Sequence, residues 1–267
     1  MSALRLSISG ALHALRRRPA VRILALVWSV QVVGFAYALS YLLYKSAPEE
    51  TAELLAGLMP ARAADFVIGS LPLYGGPVLV ILGAVVSGSG GLVTLLPRFP
   101  DRGSFLVGRF VALSVVTAGY AVLTLVLAAV SSLSVALAEG SALVWPGPLE
   151  WVRGFAVIWL VMTAFAGLGA AIGVLTKSLP VAIAVGLLWT PGAESVLALV
   201  TGGVEALHPV RAALLSPSAG SLAAALGSSA PGVAAVSAPG VAVAVLAGWI
   251  VVPLLVSLLV FNRRDVT

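Results

Sequence analysis

Apolar residues run almost unbroken through six stretches of the chain, residues 23–43, 71–89, 107–133, 152–175, 181–200 and 241–261. Each is close to the roughly 20 residues that a helix needs to cross a bilayer. Strands of a membrane barrel would alternate apolar and polar positions, and these runs do not alternate. The pattern therefore predicts an all-α integral membrane protein with six transmembrane helices. Residues 1–18 read differently. Leu4, Ile8, Leu12 and Leu15 recur at helical spacing, while Arg5, Ser9, His13 and Arg16 take another face. That is a short amphipathic helix suited to the headgroup layer, before the chain turns inward at Pro19. The alternative is a basic tail that only sets topology. Residues 1–20 are thus read as an amphipathic interfacial helix and 21–267 as the six-span bundle, together one membrane domain. "RRR" followed by an apolar run and Ala36-Tyr37-Ala38 has the outline of a cleaved secretory signal. The run continues to Tyr44, which favours a retained span.

Composition agrees. Hydrophobic residues make up 60% of the 267 and charged residues 9%, against about 25% charged in a soluble domain. The placement of the charges predicts orientation. With the N-terminus inside, Arg5, Arg16, Arg17, Arg18, Arg22, Arg98, Arg102, Arg109, Lys177, Arg263 and Arg264 fall on the cytoplasmic side. Lys45, Arg62, Arg153 and Arg211 fall outside. Eleven cations against four is the asymmetry of the positive-inside rule. Of the acids, Asp101 and Asp265 lie inside and the other eight outside. Both termini are expected in the cytoplasm, and a multi-pass location in a bacterial plasma membrane is expected.

Several chemistries lose support. The chain has no cysteine, and its two histidines, His13 and His208, are far apart, so no metal site is expected. No Asp, Glu, Lys or Arg lies near the middle of a predicted span, unlike proton-coupled carriers and aspartyl intramembrane proteases. No G-x-S-x-G elbow appears. Neither Lys45 nor Lys177 sits in a phosphate-binding loop. No catalytic residue is predicted, and any ATP-driven work would need an ATPase on another chain.

The loop "VVSGSGGLVTLLPRFPDRGSFLVGRFVAL", residues 85–113, concentrates charge between the second and third spans. Its order is glycine, Thr94, Leu95-Leu96, Pro97-Arg98, Asp101-Arg102, Leu106 and Arg109. This resembles the first cytoplasmic loop in permeases of type-2 ATP-binding-cassette exporters. The family's acidic residue before the glycine is absent, for the chain reads Ser87-Gly88-Ser89-Gly90. Three further features resemble that family: "GLGAAIGVLTKSLPVAIAVGLLW" across the fourth and fifth spans, the ending "FNRRDVT", and the amphipathic N-terminal helix.

The resemblance implies a permease subunit that exports a hydrophobic or amphiphilic compound: a lipid, a lipid-linked glycan, or a natural product or drug. Two six-span subunits, identical or homologous, would pair with two ATPase subunits that bind ATP and Mg. The surrounding lipids are the remaining partner, and no nucleic acid is expected. Arg98, Asp101 and Arg102 would couple the loop to the ATPase; the alternative is that they anchor topology. The first, second and fifth spans would line the pathway, offering Gln31, Tyr37, Tyr74 and Trp189. Packing and interfacial anchoring is the other reading of those four. Residues 201–240 would form short helices in the outer leaflet, although the Gly/Ser/Pro content of 216–240 suits a flexible loop. Gly169 and Gly173 form a G-x-x-x-G spacing that permits close helix packing. A non-transporting membrane scaffold or assembly factor, and an ion-independent facilitator, are the competing functions.

Overall fold

The structure is a computed structural model that describes residues 3–87, 102–228, 230 and 233–263. Among these the chain is helical, without strands. The N-terminal helix α1 is Ala3–Arg17. Ser7 and Leu15 are buried, with Ile8, Ala11 and Leu12 half-buried between them. That stripe confirms the helical periodicity, with Ser7 joining it and Leu4 left at its exposed edge. Arg5, His13, Arg16 and Arg17 are exposed. Arg18 takes an extended backbone conformation ahead of Pro19, which ends α1 and starts α2.

Five helices are long and apolar enough to cross a membrane: α2 (Pro19–Ser46), α6 (Gly103–Ala138, continuing from Arg102), α7 (Pro148–Thr176), α8 (Leu179–Gly202) and α11 (Pro239–Arg263). Leu26, Leu42, Val122, Val130, Leu188, Leu199, Val252 and Leu259 are all more than half exposed on these helices. Apolar surface so extensive suits lipid contact and not water. The protein is therefore a multi-pass helical membrane protein.

The second predicted stretch, 71–89, takes a different form. A helical run starts earlier, with α4 (Ala63–Ser70), passes through a π-helical segment Leu71–Gly75, and continues as α5 (Gly76–Ser87). Pro72 has no N–H to give the helix, and Gly75, Gly76 and Pro77 follow, so a wider turn is the local answer. The apolar helix α5 alone has 12 residues. Short helices complete the chain: α3 (Ala52–Leu58), α9 (His208–Ala212) and α10 (Leu215–Ala225).

Hydrogen bonds fix how the helices run. Tyr120 donates to the Val21 carbonyl at 2.8 Å, Trp28 Nε1 to Thr124 Oγ1 at 2.8 Å, and Tyr41 to Glu139 at 2.5 Å. Their sequence separations are 99, 96 and 98, so α2 and α6 lie parallel and in step. Ser7 Oγ donates to the Phe105 carbonyl at 3.0 Å across a separation of 98, so α1 extends the same pairing along α6. At about 1.5 Å per residue the 37-residue α6 is about 55 Å long. That exceeds the roughly 30 Å hydrocarbon core and leaves turns on which α1 can pack.

The second parallel pair is 63–87 with α7. Ala64 meets Gly154 at one end, and Ser87 meets Gly173 at the other. Between them a Cβ on Gly83 would collide with the Ala166 carbonyl, and one on Gly169 with the Val80 carbonyl. The Gly169/Gly173 seam is thus filled by α5 of the same chain. More than half of α7's apolar window is buried, against 17–33% in the other four long helices. It is the central helix of the bundle.

Two ends follow. One gathers Arg18, Val85, Ser87, Phe105 and Arg109; the other gathers Lys45 with Glu139, and Asp65 with Glu150 and Arg153. The segments grouped by charge in the sequence fall at common ends of the bundle. The turn between α7 and α8 is minimal because Lys177 adopts a left-handed conformation (φ 54°) and donates its N–H to the Gly173 carbonyl.

Candidate functional site

At the basic end, the last described carbonyls of α5 face two arginines. Arg18 donates to the Val85 carbonyl at 2.9 Å; Arg109 donates to Ser87 O at 3.2 Å and Val86 O at 3.4 Å. The helix dipole favours cations at the carbonyl end of a helix. The Arg109 guanidinium also lies 5.0 Å from the centre of the Phe105 ring. The start of α2, the end of α5 and the first turns of α6 are thereby fastened together at the base of the loop 88–101. Arg98 and Asp101 lie outside the described residues. Arg102 begins α6, and its side chain lies outside them as well.

Of the four aromatic and amide positions, Gln31 and Tyr37 share one segment of α2, and Trp189 lies on α8. Tyr37, 2% exposed, donates to the Ala63 carbonyl at 3.3 Å and packs on Phe66 at 5.5 Å between ring centres. Gln31 opens the π-helical segment Gln31–Leu39 of α2. Its Oε1 is buried without a hydrogen-bond partner among the described residues, beside a cavity of about 10 Å³ lined by Trp28, Ser70 and Gly75. That volume holds about one water at most. Trp189 lies in the π-helical segment Leu188–Ala193 of α8, with its ring centre 6.3 Å from that of Trp249. Its Nε1 is buried and unpartnered. The Tyr74 side chain lies outside the described residues. Trp189 and Trp249 contribute nothing to the cavity at Gln31.

Sequence reasoning missed a cavity that holds two charged side chains. α9 and α10 do not form a loose loop. Trp249 Nε1 donates to the Ala213 carbonyl at 2.9 Å, and α10 packs between α4 and α11. Ser221 Oγ accepts the backbone N–H groups of Val236 at 3.0 Å and Ser237 at 3.2 Å, which closes the returning segment over α10. Serine and small residues thus serve as a tightly packed helix face: Ser218, Ala219, Gly220, Ser221 and Ala223 are all buried. At the start of α10, Glu194 of α8 accepts the Ser216 N–H at 2.7 Å and its hydroxyl at 3.0 Å. Glu194 is only 1% exposed. A carboxylate at a helix N-terminus satisfies otherwise open donors. Beside it is a cavity of about 180 Å³, lined by Glu194, Arg211, Ser216, Gly69 and Pro72 among others. The available signal was Glu194 itself, a lone acid within the predicted fifth span.

At the same end, Glu139 binds Lys45 Nζ at 2.6 Å. The hydrogen bond from Lys45, then that from Tyr41, holds the Glu139 carboxyl below its usual range. Among the described residues, no group of three or more His, Cys, Asp or Glu side chains could hold a metal ion. Compared with known proteins, the chain matches no family model and no curated sequence.

Proposed function

We propose that this chain is the permease subunit of an ATP-driven exporter of a hydrophobic or amphiphilic compound. On this reading the run 63–87 is a sixth crossing. Its pieces of 8, 5 and 12 residues extend about 37 Å, enough for a roughly 30 Å core. Both termini are cytoplasmic, α1 lies in the headgroup layer, and the membrane is a bacterial plasma membrane. The observation that carries the reading is the pair Arg18 and Arg109 on the carbonyl end of α5. Force on loop 88–101 reaches α2, α5 and α6 through these bonds without first passing through soft side-chain packing.

Two copies of the permease, or this chain and a homologue, would join two ATPase subunits that hold ATP and Mg. Arg98, Asp101 and Arg102 would meet the ATPase. ATP binding there draws the loops together and tilts the attached helices toward an outward-open state. The exposed apolar faces of α2 and α8 supply a wall for an amphiphilic cargo.

The test is a search of the flanking genes for an ATPase reading frame, co-expression of any ATPase found there, and purification on a tag carried by the permease. A stable complex whose ATP hydrolysis is uncoupled by Arg102→Glu, with insertion unchanged, supports the proposal. A chain that purifies without any ATPase, and whose deletion leaves export intact, sinks it.

A further inference from the structure

The cavity between α4, α8 and α10 presents two opposite charges that do not bond each other. Arg211 lines it, and its Nε is buried without a hydrogen-bond partner among the described residues. Among the described residues no ion pair joins Arg211 to Glu194. Glu194 accepts the Ser216 N–H on one oxygen and its hydroxyl on the other, and the Leu215 backbone N–H is a third donor to it. A carboxylate has about four acceptor positions, so acceptor capacity remains at the cavity wall. A buried guanidinium nitrogen left unpaired is costly, and an anionic group would relieve it.

The geometry points to a binding site for a small zwitterionic headgroup, with phosphate on Arg211 and a primary ammonium on Glu194. A simple anion would be repelled by Glu194 and a simple cation by Arg211, whereas a zwitterion satisfies both. The volume of about 180 Å³ equals that of about six waters, which accommodates a two-carbon phosphoethanolamine unit. The surroundings favour a lipid as its source. Ser195 and Ala198 of α8 line the cavity, and the neighbouring Val196, Leu199 and Val200 are 59%, 78% and 55% exposed. A lipid could seat its headgroup in the cavity and lay its chains along that face. The site is independent of the exporter reading, because its test needs no ATPase.

The experiment is native mass spectrometry of the purified, delipidated protein in detergent, with equal amounts of phosphatidylethanolamine and phosphatidylglycerol. The protein should retain phosphatidylethanolamine over phosphatidylglycerol by about tenfold, as expected for one added charge-assisted hydrogen bond. Glu194→Gln keeps an acceptor for Ser216 and should erase the preference. Arg211→Gln should weaken both lipids by about tenfold. Ala198→Leu fills the cavity from its wall without touching a charge, and should displace phosphatidylethanolamine even if a charge variant fails to fold. Soluble phosphoethanolamine forms the second arm. Its competition assigns recognition to the headgroup alone; failure to compete, with lipid retention intact, assigns it to the whole lipid. Equal retention of both lipids by the unmodified protein, or retention unaltered in all three variants, overturns the proposal.

Discussion

Arg18 reaches the carbonyl of Val85 at 2.9 Å, across 67 residues of chain. The residue that follows the first helix also bonds the last described turn of α5. Arg109 does the same from α6. Charges that bias topology in the sequence also serve as helix caps in the fold.

Removing those caps should loosen the basic end. Arg18→Ala leaves the α5 carbonyls with one fewer donor, and a hydrogen bond to a charged group contributes about 1.5–3 kcal/mol. Insertion should persist, because many cations remain on that side. Limited proteolysis in detergent should cut the 88–101 loop faster in the variant. Identical cleavage rates would show that the bond carries no load.

Gly83 should tolerate no side chain. The Cβ of Gly83→Ala would meet the Ala166 carbonyl, a backbone atom of the central helix that has no freedom to move aside. Overpacking of this sort costs about 3 kcal/mol or more. Thermal unfolding followed by tryptophan fluorescence should show a large loss of stability. The same exchange at Gly119, where nothing lies within 4 Å, should be harmless or stabilising.

The link between Glu139 and Lys45 should weaken in acid. The folded carboxyl titrates below its ordinary value of 4.5 because Lys45 and Tyr41 hold its charged form. Its contribution is therefore complete above 4.5 and disappears as pH falls through the lower, folded value. Melting temperatures of the unmodified protein and Glu139→Gln should differ at neutral pH and converge in acid. A difference that does not shrink as the pH is lowered would place the stabilisation elsewhere.

Orientation can be read with single cysteines, since the chain has none. Ala52 and Ala14 are both exposed, on α3 and α1 respectively. Impermeant thiol reagents applied to intact cells should label Ala52→Cys and spare Ala14→Cys until the cells are permeabilised. The reverse pattern would invert the orientation.

The Trp28 indole should matter through its N–H as well as its bulk. It is 1% exposed and donates to Thr124 Oγ1. Trp28→Phe keeps an aromatic ring but orphans that acceptor, at about 1 kcal/mol. A double-mutant cycle with Thr124→Val should show coupling of the two residues, and strictly additive losses would deny the bond.

The apolar runs by themselves determined the helical class and five of the spans, because a bilayer demands long apolar helices whatever their neighbours are. The leucine spacing in 1–18 likewise determined α1. Local sequence could not decide where 63–87 begins, because its start is held by long-range bonds, from Tyr37 to the Ala63 carbonyl and from Arg62 to the Gly227 carbonyl. Nor could it decide the fate of residues 215–225. Small and serine-rich composition suits a flexible loop in isolation, yet it also lets a helix enter a narrow gap, and Glu194 and Trp249 supply the partners that hold it there. Gly169 and Gly173 were legible as a close-packing seam, but only the tertiary structure chose α5 of the same chain as its occupant. Spacing along one helix specifies how near another backbone can come. Which backbone arrives is a long-range choice, set by the packing of the whole bundle.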